Sequence, residues 1–434
     1  MSTLKVNKIR DTAGSADAIT LDPNGGAVLA GVTTISTARV TTGITSTSLQ
    51  VGAAVTITES GIEASGIGIT CANINGTQIG GRRNIIINGA MEVAQYGTSS
   101  NSTGFVSVDR MSQQHSGTDE APTYAQVDVS SGTTPYTNGF RKAFKITNGN
   151  QTSGAGSSDY VYWWTILEAQ DISKSGWNYT SASSFITLSF WIKSSVAQNF
   201  YGFLQTGDGT SQSLTYETGS LTADTWTKIV KTIPGNSNLQ FDNDNGAGLY
   251  WAPARAFDGT DRTASMSLDT WATYSGSSRT PDATSTWYTT NDATLEITGL
   301  QMEVGSQATA FEHRSFGEEL ALCRRYYQQY TNIVAIGYAS DSANTSYHHG
   351  FTFPVEMRSA PTYSITNTGS SNGQYVTDGD NNVYISSLAG GDFQTHNMAV
   401  HYNLTGDLTN FSAAHLFGVD STAYQTTHKL SAEL

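Results

Sequence analysis

The sequence predicts a mainly β protein: an N-terminal oligomeric β-shaft, a central jelly-roll β-sandwich, one short helix and a distal C-terminal β domain. Three observations carry that prediction. Charged residues make up only 13% of the 434-residue chain, while Thr, Ser, Asn and Tyr abound. Such a composition suits sheets whose exposed faces are polar without being charged. Gly is abundant (43) and Pro scarce (8), and turn signals such as "TGDG", "DNDNG" and "FDGTD" recur between runs of alternating apolar residues. Against this background "FEHRSFGEELALCRRYY" (Phe311 to Tyr327) is the stretch in which acids and arginines flank apolar residues at helical spacing.

The elements follow in order. Residues 1–81 form the first region, and from Gly31 to Gly81 there is neither an aromatic residue nor a Pro. Val and Ile recur instead among small and hydroxyl residues, as at Val32, Ile35, Val40, Val55, Ile57 and Ile62. Short β-segments punctuated by Gly fit that pattern. A single copy lacks large side chains to bury, so intertwining of several copies about an axis is expected. Residues 82–313 carry the strand signals of a jelly roll. In "SFITLSFWIKSS", Ile186, Leu188, Phe190 and Ile192 share one face, and Thr187, Ser189, Trp191 and Lys193 share the other. "VYWWTIL" (Val161 to Leu167) reads as one buried strand, and Thr225 to Gly235 and Thr294 to Val304 read as further strands.

Residues 314–330 form a helical junction. Ser315 with Glu318 is a capping box, Glu318 and Glu319 open the helix, and Arg324 and Arg325 close it. Phe316, Leu320, Cys323 and Tyr327 make one apolar stripe; Leu322 and Tyr326 make a second. Two stripes imply two packing surfaces, one of which is expected to meet a symmetry-related copy. Residues 331–434 alternate enough to form a distal β domain.

Composition also excludes functions. The net charge is −14 and no Lys/Arg cluster is long enough to neutralise several phosphates, so nucleic acid is not an expected partner. Cys71 and Cys323 lie far apart in dissimilar contexts, which gives neither a disulfide framework nor a Cys-based metal site. No run approaches the roughly 20 apolar residues of a membrane helix, and "MSTLKVNKIRDTAG" has no signal-peptide core, so cytoplasmic synthesis without membrane insertion is expected.

Three chemistries compete. For catalysis there is no G-x-S-x-G, H-E-x-x-H or phosphate-cradling loop. Asp242, Asp244, Asp258 and Asp261 could supply a carboxylate pair, but Asp beside Gly and Asn is what turns use. The chain is therefore read as a non-enzyme. For metals, "DNDNG", with Asp242 and Asp244, and "DGDNN" (Asp378 to Asn382) offer hard oxygen donors suited to a structural Ca²⁺. Neither has EF-hand spacing, the turn reading is preferred, and no cofactor is expected. His348 and His349 are adjacent, and on a strand they point to opposite faces, so no shared site within one chain is implied. Sugar binding draws on the 10% aromatic content, because sugar C–H groups stack on ring faces while amides and carboxylates bind hydroxyls. Trp191, Tyr250, Trp251 and Trp287 are the glycan-binding candidates, Trp191 because it lies on the polar face of its strand.

The motif "RRNIIINGAMEVAQYG", paired with "LQMEVGSQATAFEHRSFGEELALCRRYY", resembles a module of tail fibres and related virion proteins of marine bacteriophages, notably those infecting cyanobacteria. The ending Gln301, Glu303, Gly305, Ala308, Thr309, Phe311 and Glu312 is similar to the last strand and exit of their carbohydrate-binding-module-like jelly roll, with Ala310 where Pro is commoner. "FPVEMRSAPT" (Phe353 to Thr362) and the terminal "AEL" resemble the segments that follow. The resemblance covers roughly Arg82 to Leu434. It implies a homotrimeric virion appendage, held by a tail or other virion protein at its N-terminus and facing host-surface polysaccharide with its distal domains, assembled in the host cytoplasm and released by lysis. A capsid decoration or fibre-anchoring protein without a receptor role would share these features, and a polysaccharide depolymerase is the enzymatic alternative.

Overall fold

The computed structural model describes residues 82–259, 267–277, 279–331, 333–339, 346–368, 374–377, 382–406, 408, 413–418 and 425–434, together with the backbone of short strands before residue 79. The chain divides into two compact units, Met1–Cys71 and Ala72–Leu434. In the first, Lys8–Arg10, Asp17–Leu21 and Ala27–Leu29 form one antiparallel sheet, and Ser48–Val51, Val55–Thr58 and Gly61–Ala64 form another. Val55, Ile57 and Ile62 thus fall in a short meander that pairs within the chain, whereas Val32, Ile35 and Val40 lie outside the described residues.

The second unit opens with two facing antiparallel sheets. One has seven strands, in the order Ser112–Ser116, Tyr160–Glu168, Ala247–Arg255, Asn199–Thr206, Gln212–Ser220 and Ala272–Thr273, with Phe257–Asp258 also pairing on Tyr160–Glu168. The other has six, in the order Thr227–Pro234, Phe185–Ser194, Thr294–Val304, Lys142–Thr147, Thr123–Asp128 and Ser99–Ser100. Neighbours distant in sequence give the crossovers of a jelly-roll-like sandwich. Ile186, Leu188, Phe190 and Ile192 all face the core, as their alternation requires, beside Trp163, Trp251, Trp287, Tyr216 and Phe257. Thr187 and Ser189, on the opposite face, are also buried; Thr187 Oγ1 donates to Gly305 O at 2.8 Å, where the chain leaving Val304 folds back.

The motif residues close this sandwich. Ile85 N donates to Met302 O (2.9 Å), Asn84 Nδ2 to Leu300 O (3.0 Å) and Asn84 N to Glu312 Oε2 (2.6 Å). Gln301 Oε1 accepts from Glu312 N and Glu303 Oε1 from Thr309 N, both at 2.8 Å. The first strand-like segment and the last strand of the sandwich are therefore stitched by side chains where ladder pairing is incomplete.

The described residues hold four helices where the sequence predicts one. Thr134–Thr137, Ala169–Ser173 and Thr286–Thr289 are single turns, too short to leave a periodic signature. The fourth is Phe316–Arg324, opened by the expected capping box: Glu318 N donates to Ser315 Oγ at 3.3 Å and Ser315 N to Glu318 Oε2 at 2.9 Å. The stripes need correction. Phe316 is 58% exposed, whereas Cys323 is buried as its place in the stripe predicts, together with Glu319, which the stripe did not include. Glu319 is drawn inward because it accepts from Asn88 N and pairs with Arg314 at 3.4 Å. Leu320 is half-buried, and Tyr326 and Tyr327 lie beyond the helix. Tyr327 begins the strand Tyr327–Thr331 and stacks on Tyr96 with centroids 3.6 Å apart. Tyr326 donates to Glu168 Oε1 at 2.6 Å, and with Leu322 it lines a cleft against Ile85 and Val304. Tyr326 of the second stripe is thus packed within the chain, and half-buried Leu322 borders the cleft.

The C-terminal strands form a closed six-stranded barrel, Ala335–Ala339, Ser346–Thr352, Asn397–Leu404, Asn382–Phe393, Gln374–Thr377 and Ala413–Gly418. A three-stranded sheet, Tyr327–Thr331, Gln425–Ser431 and Thr362–Thr368, adjoins it. Tyr347, Val376, Val400, Tyr402 and Leu416 fill their common core. The barrel is tied to the sandwich by Arg358, whose Nε donates to Ala432 O (2.7 Å) and Nη1 to Asn245 O (2.8 Å), and by Arg325, whose Nε and Nη2 grip Glu168 at 2.6 and 2.8 Å. Arg110 and Glu433, both buried, form an ion pair, and the Arg110 guanidinium lies 3.5 Å over the Tyr326 ring. Among the described residues, no helix is long and apolar enough to cross a membrane.

Candidate functional site

The sequence-derived candidates separate once placed. Trp251 is 0% exposed and donates its Nε1 proton to Tyr216 Oη at 2.8 Å; Trp287 is also 0% exposed and donates to Thr294 O at 3.0 Å. Both are core residues with satisfied indoles, so neither offers a face to a ligand, which corrects their assignment as glycan platforms. Trp191 is half-buried and lines a cleft of about 160 Å³ with Phe140, Phe311, His313, Asn138 and Lys228. Its ring packs on the cluster around Phe140, because the chain after Val304 covers that face of the sheet.

The acids resolve in the same way. Asp244 Oδ1 accepts from Gly246 N at 2.9 Å, Asp242 Oδ1 accepts from Gln240 Nε2 at 3.1 Å, and Asn245 in the same turn donates to Arg358 O at 2.6 Å. The "DNDNG" turn therefore carries the contact to the C-terminal part of the chain. Asp258 is buried between Arg255 (3.0 Å), Arg279 (2.6 Å) and Thr280 (3.1 Å), which makes it a structural ion-pair centre rather than one of an exposed catalytic pair. Asp261 and the Asp378 to Asn381 part of "DGDNN" lie outside the described residues. Among the described residues there is no group of three or more His, Cys, Asp or Glu placed to hold a metal ion.

Tyr250 survives as a surface residue, and its neighbours define the candidate site. "VYWWTIL", read as one buried strand, is buried at every position but Trp164. In the strand Tyr160–Glu168, Val161 and Trp163 enter the core, whereas Tyr160, Tyr162 and Trp164 project from the opposite face of the seven-stranded sheet. Ring centroids are 5.4 Å apart from Tyr160 to Tyr162, 5.4 Å from Tyr162 to Trp164 and 5.1 Å from Trp164 to Tyr250. Tyr162 (6% exposed) and Phe203 (0%), from Asn199–Thr206, are buried beneath Arg255 and Tyr274, so Tyr160, Trp164 and Tyr250 are the rings that stay half-buried on this face.

Polar groups border the rings. Register sets Gln114 opposite Tyr162, Ser112 opposite Trp164 and Gln205 opposite Tyr250. Arg255 lies 3.8 Å over the Tyr162 ring and 4.7 Å over Phe203, held there by Asp258. Two buried donors on this face, Trp164 Nε1 and Arg255 Nε, have no hydrogen-bond partner. Burial raises the phenol pKa of both Tyr162 and Tyr250, so each remains a neutral donor and acceptor at ordinary pH. The face thus offers the half-buried rings of Tyr160, Trp164 and Tyr250 for C–H stacking beside the half-buried amides Gln114 and Gln205. Of these residues the sequence singled out Tyr250 as a candidate but not Tyr160 or Trp164, whose signal was the i, i+2, i+4 aromatic series Tyr160, Tyr162, Trp164.

No family model matches the chain, and no curated protein matches it. Among solved structures, the enzymatically active domain of bacteriophage CBA120 tailspike protein 4 aligns over 51% of this chain at 8% identity and a TM-score of 0.26, and this chain spans only 21% of that domain. A proposed sugar-binding protein from Bacteroides thetaiotaomicron aligns over 51% of this chain and 99% of its own length, at 11% identity and a TM-score of 0.29. The tandem CBM22 domains of Paenibacillus barcinonensis Xyn10C align over 84% of this chain and 100% of their own, at 8% identity and a TM-score of 0.25. Superpositions this loose assign neither a family nor an activity.

Proposed function

We propose that the chain is a virion structural protein, a homotrimeric bacteriophage tail fibre or comparable appendage, whose jelly roll binds host-surface polysaccharide without cleaving it. The observation that carries this reading is the set of half-buried rings Tyr160, Trp164 and Tyr250 on the outer face of the seven-stranded sheet, bordered by Gln114 and Gln205. The appendage role rests on the motif resemblance. A single open face of this kind binds weakly, and three copies per fibre would convert it to useful avidity.

Affinity electrophoresis of the full chain through gels containing host envelope polysaccharide tests the reading, with light scattering giving the assembly state. The expected result is a trimer whose migration is retarded by polysaccharide, with retardation lost in Trp164→Ala/Tyr250→Ala. A monomer would overturn the fibre assembly, and unretarded migration of the native chain would overturn the glycan role. Oligosaccharide released during incubation would replace binding with catalysis.

A further inference from the structure

On the barrel, the strands Ala335–Ala339, Ser346–Thr352 and Asn397–Leu404 lie side by side, and their register sets Tyr338 opposite His348 and His348 opposite His401. These three side chains share the outer face, since the alternating neighbours Ala339, Tyr347, His349, Val400 and Tyr402 are buried. The sequence pairs His348 with His349; the fold sends His349 inward, toward Tyr402, and gives His348 a different imidazole as neighbour. The His348 and His401 ring centroids are 3.9 Å apart and tilted by 44°, and Tyr338 stacks on His348 at 5.2 Å and 13°.

An imidazole nitrogen binds a transition ion at about 2.0–2.1 Å, so two nitrogens on one ion lie about 3 Å apart. Two half-exposed rings already in contact reach that separation by small side-chain rotations. Room exists beside them: a cavity of about 340 Å³ is bordered by His348, His401, Tyr338, Ile336, Gly350 and Ala399. A Cβ at Gly350 would meet only Met398 O at 3.8 Å, and at Gly390, opposite His401 on the next strand, it would meet nothing within 4 Å. Neither glycine has a positive φ. Both leave space around the two imidazoles that packing and backbone geometry do not demand.

We propose that His348 and His401 chelate one divalent transition-metal ion, with the remaining coordination positions open to water or an external ligand. Two imidazoles and no carboxylate in the lining favour Cu²⁺, Ni²⁺ and Zn²⁺ over Ca²⁺ or Mg²⁺, with Cu²⁺ bound tightest. The site is independent of the glycan-binding face. Isothermal titration of the untagged full chain with Cu²⁺, followed by Ni²⁺ and Zn²⁺, tests it. The expected result is one ion per chain, with affinity weakened at least about tenfold in both His348→Ala and His401→Ala. His396→Ala, at an exposed histidine outside the pair, should bind as the native chain does. Should an alanine variant fold poorly by circular dichroism, His401→Asn serves in its place. Absence of binding, affinity unchanged on removing either member of the pair, or equal loss in His396→Ala would overturn the proposal.

Discussion

Trp251 and Trp164 occupy adjacent strands of one sheet and opposite faces of it. Trp251 fills the core with its indole satisfied, so Trp251→Ala should cost about 3–5 kcal/mol in urea denaturation. Trp164 is half-buried, and Trp164→Ala should cost less than half as much while removing the ring that the glycan-binding account requires. A Trp164→Ala loss equal to that of Trp251→Ala would make Trp164 another core residue. Sequence alone did not separate the two, because an aromatic residue's fate is decided by strand parity relative to a core that forms from distant segments. Where parity was readable, as in Ile186, Leu188, Phe190 and Ile192, the inward face was assigned correctly. Asp258 was misread for a related reason: the arginines that neutralise it include Arg279, 21 residues away.

At the scale of elements, the helix Phe316–Arg324 was legible because its cap is local chemistry, Ser315 and Glu318 within one turn. Its covered face was not, because Asn88 and Arg314, which draw Glu319 inward, come from outside the helix. The C-terminal strands were read from their alternation, but their closure into a barrel left no sequence signature. Buried between the barrel and the adjoining three-stranded sheet is His428, from Gln425–Ser431, whose Nδ1 meets Tyr363 Oη at 2.6 Å and Nε2 meets Gln374 Oε1 at 2.8 Å. Burial, reinforced by His349, pushes the His428 pKa down to about 3. An unfolded histidine titrates near 6.5, so the unfolded chain binds the extra proton between those values. The neutral His428 therefore contributes stability that is fully present above pH 6.5 and lost as pH falls toward 3. Between pH 7.5 and 5 the native chain should lose about 2 kcal/mol more than His428→Gln in urea titrations. Parallel pH profiles for the two proteins would refute this assignment.

Across the whole molecule, the segments that carry the family resemblance prove to be its joints. The "RRN" opening is bound to the exit from the sandwich, while Arg358 of "FPVEMRSAPT" and the terminal "AEL" bind the barrel side of the chain back to the sandwich. This is why those motifs identify architecture and are silent about a receptor. Arg110 and Glu433 are the deepest joint, and Arg110→Ala should destabilise by about 3–5 kcal/mol in thermal and urea unfolding, because it leaves Glu433 buried and unpaired. The double change Arg110→Met/Glu433→Leu should recover most of that loss; a double variant as unstable as the single one would contradict the pairing. The proposed recognition face, by contrast, lies away from the segments that carry the resemblance. It was hidden in the sequence because its residues come from the strands Tyr160–Glu168, Asn199–Thr206 and Ala247–Arg255, which only the crossover topology makes neighbours.

Hydroxyl-radical footprinting of the full chain, with and without saturating host polysaccharide, tests that face most directly. The account predicts protection of Tyr160, Trp164 and Tyr250 and unchanged labelling of Trp191; unchanged labelling of the Tyr160–Trp164 peptide, or protection confined to Trp191, would contradict it.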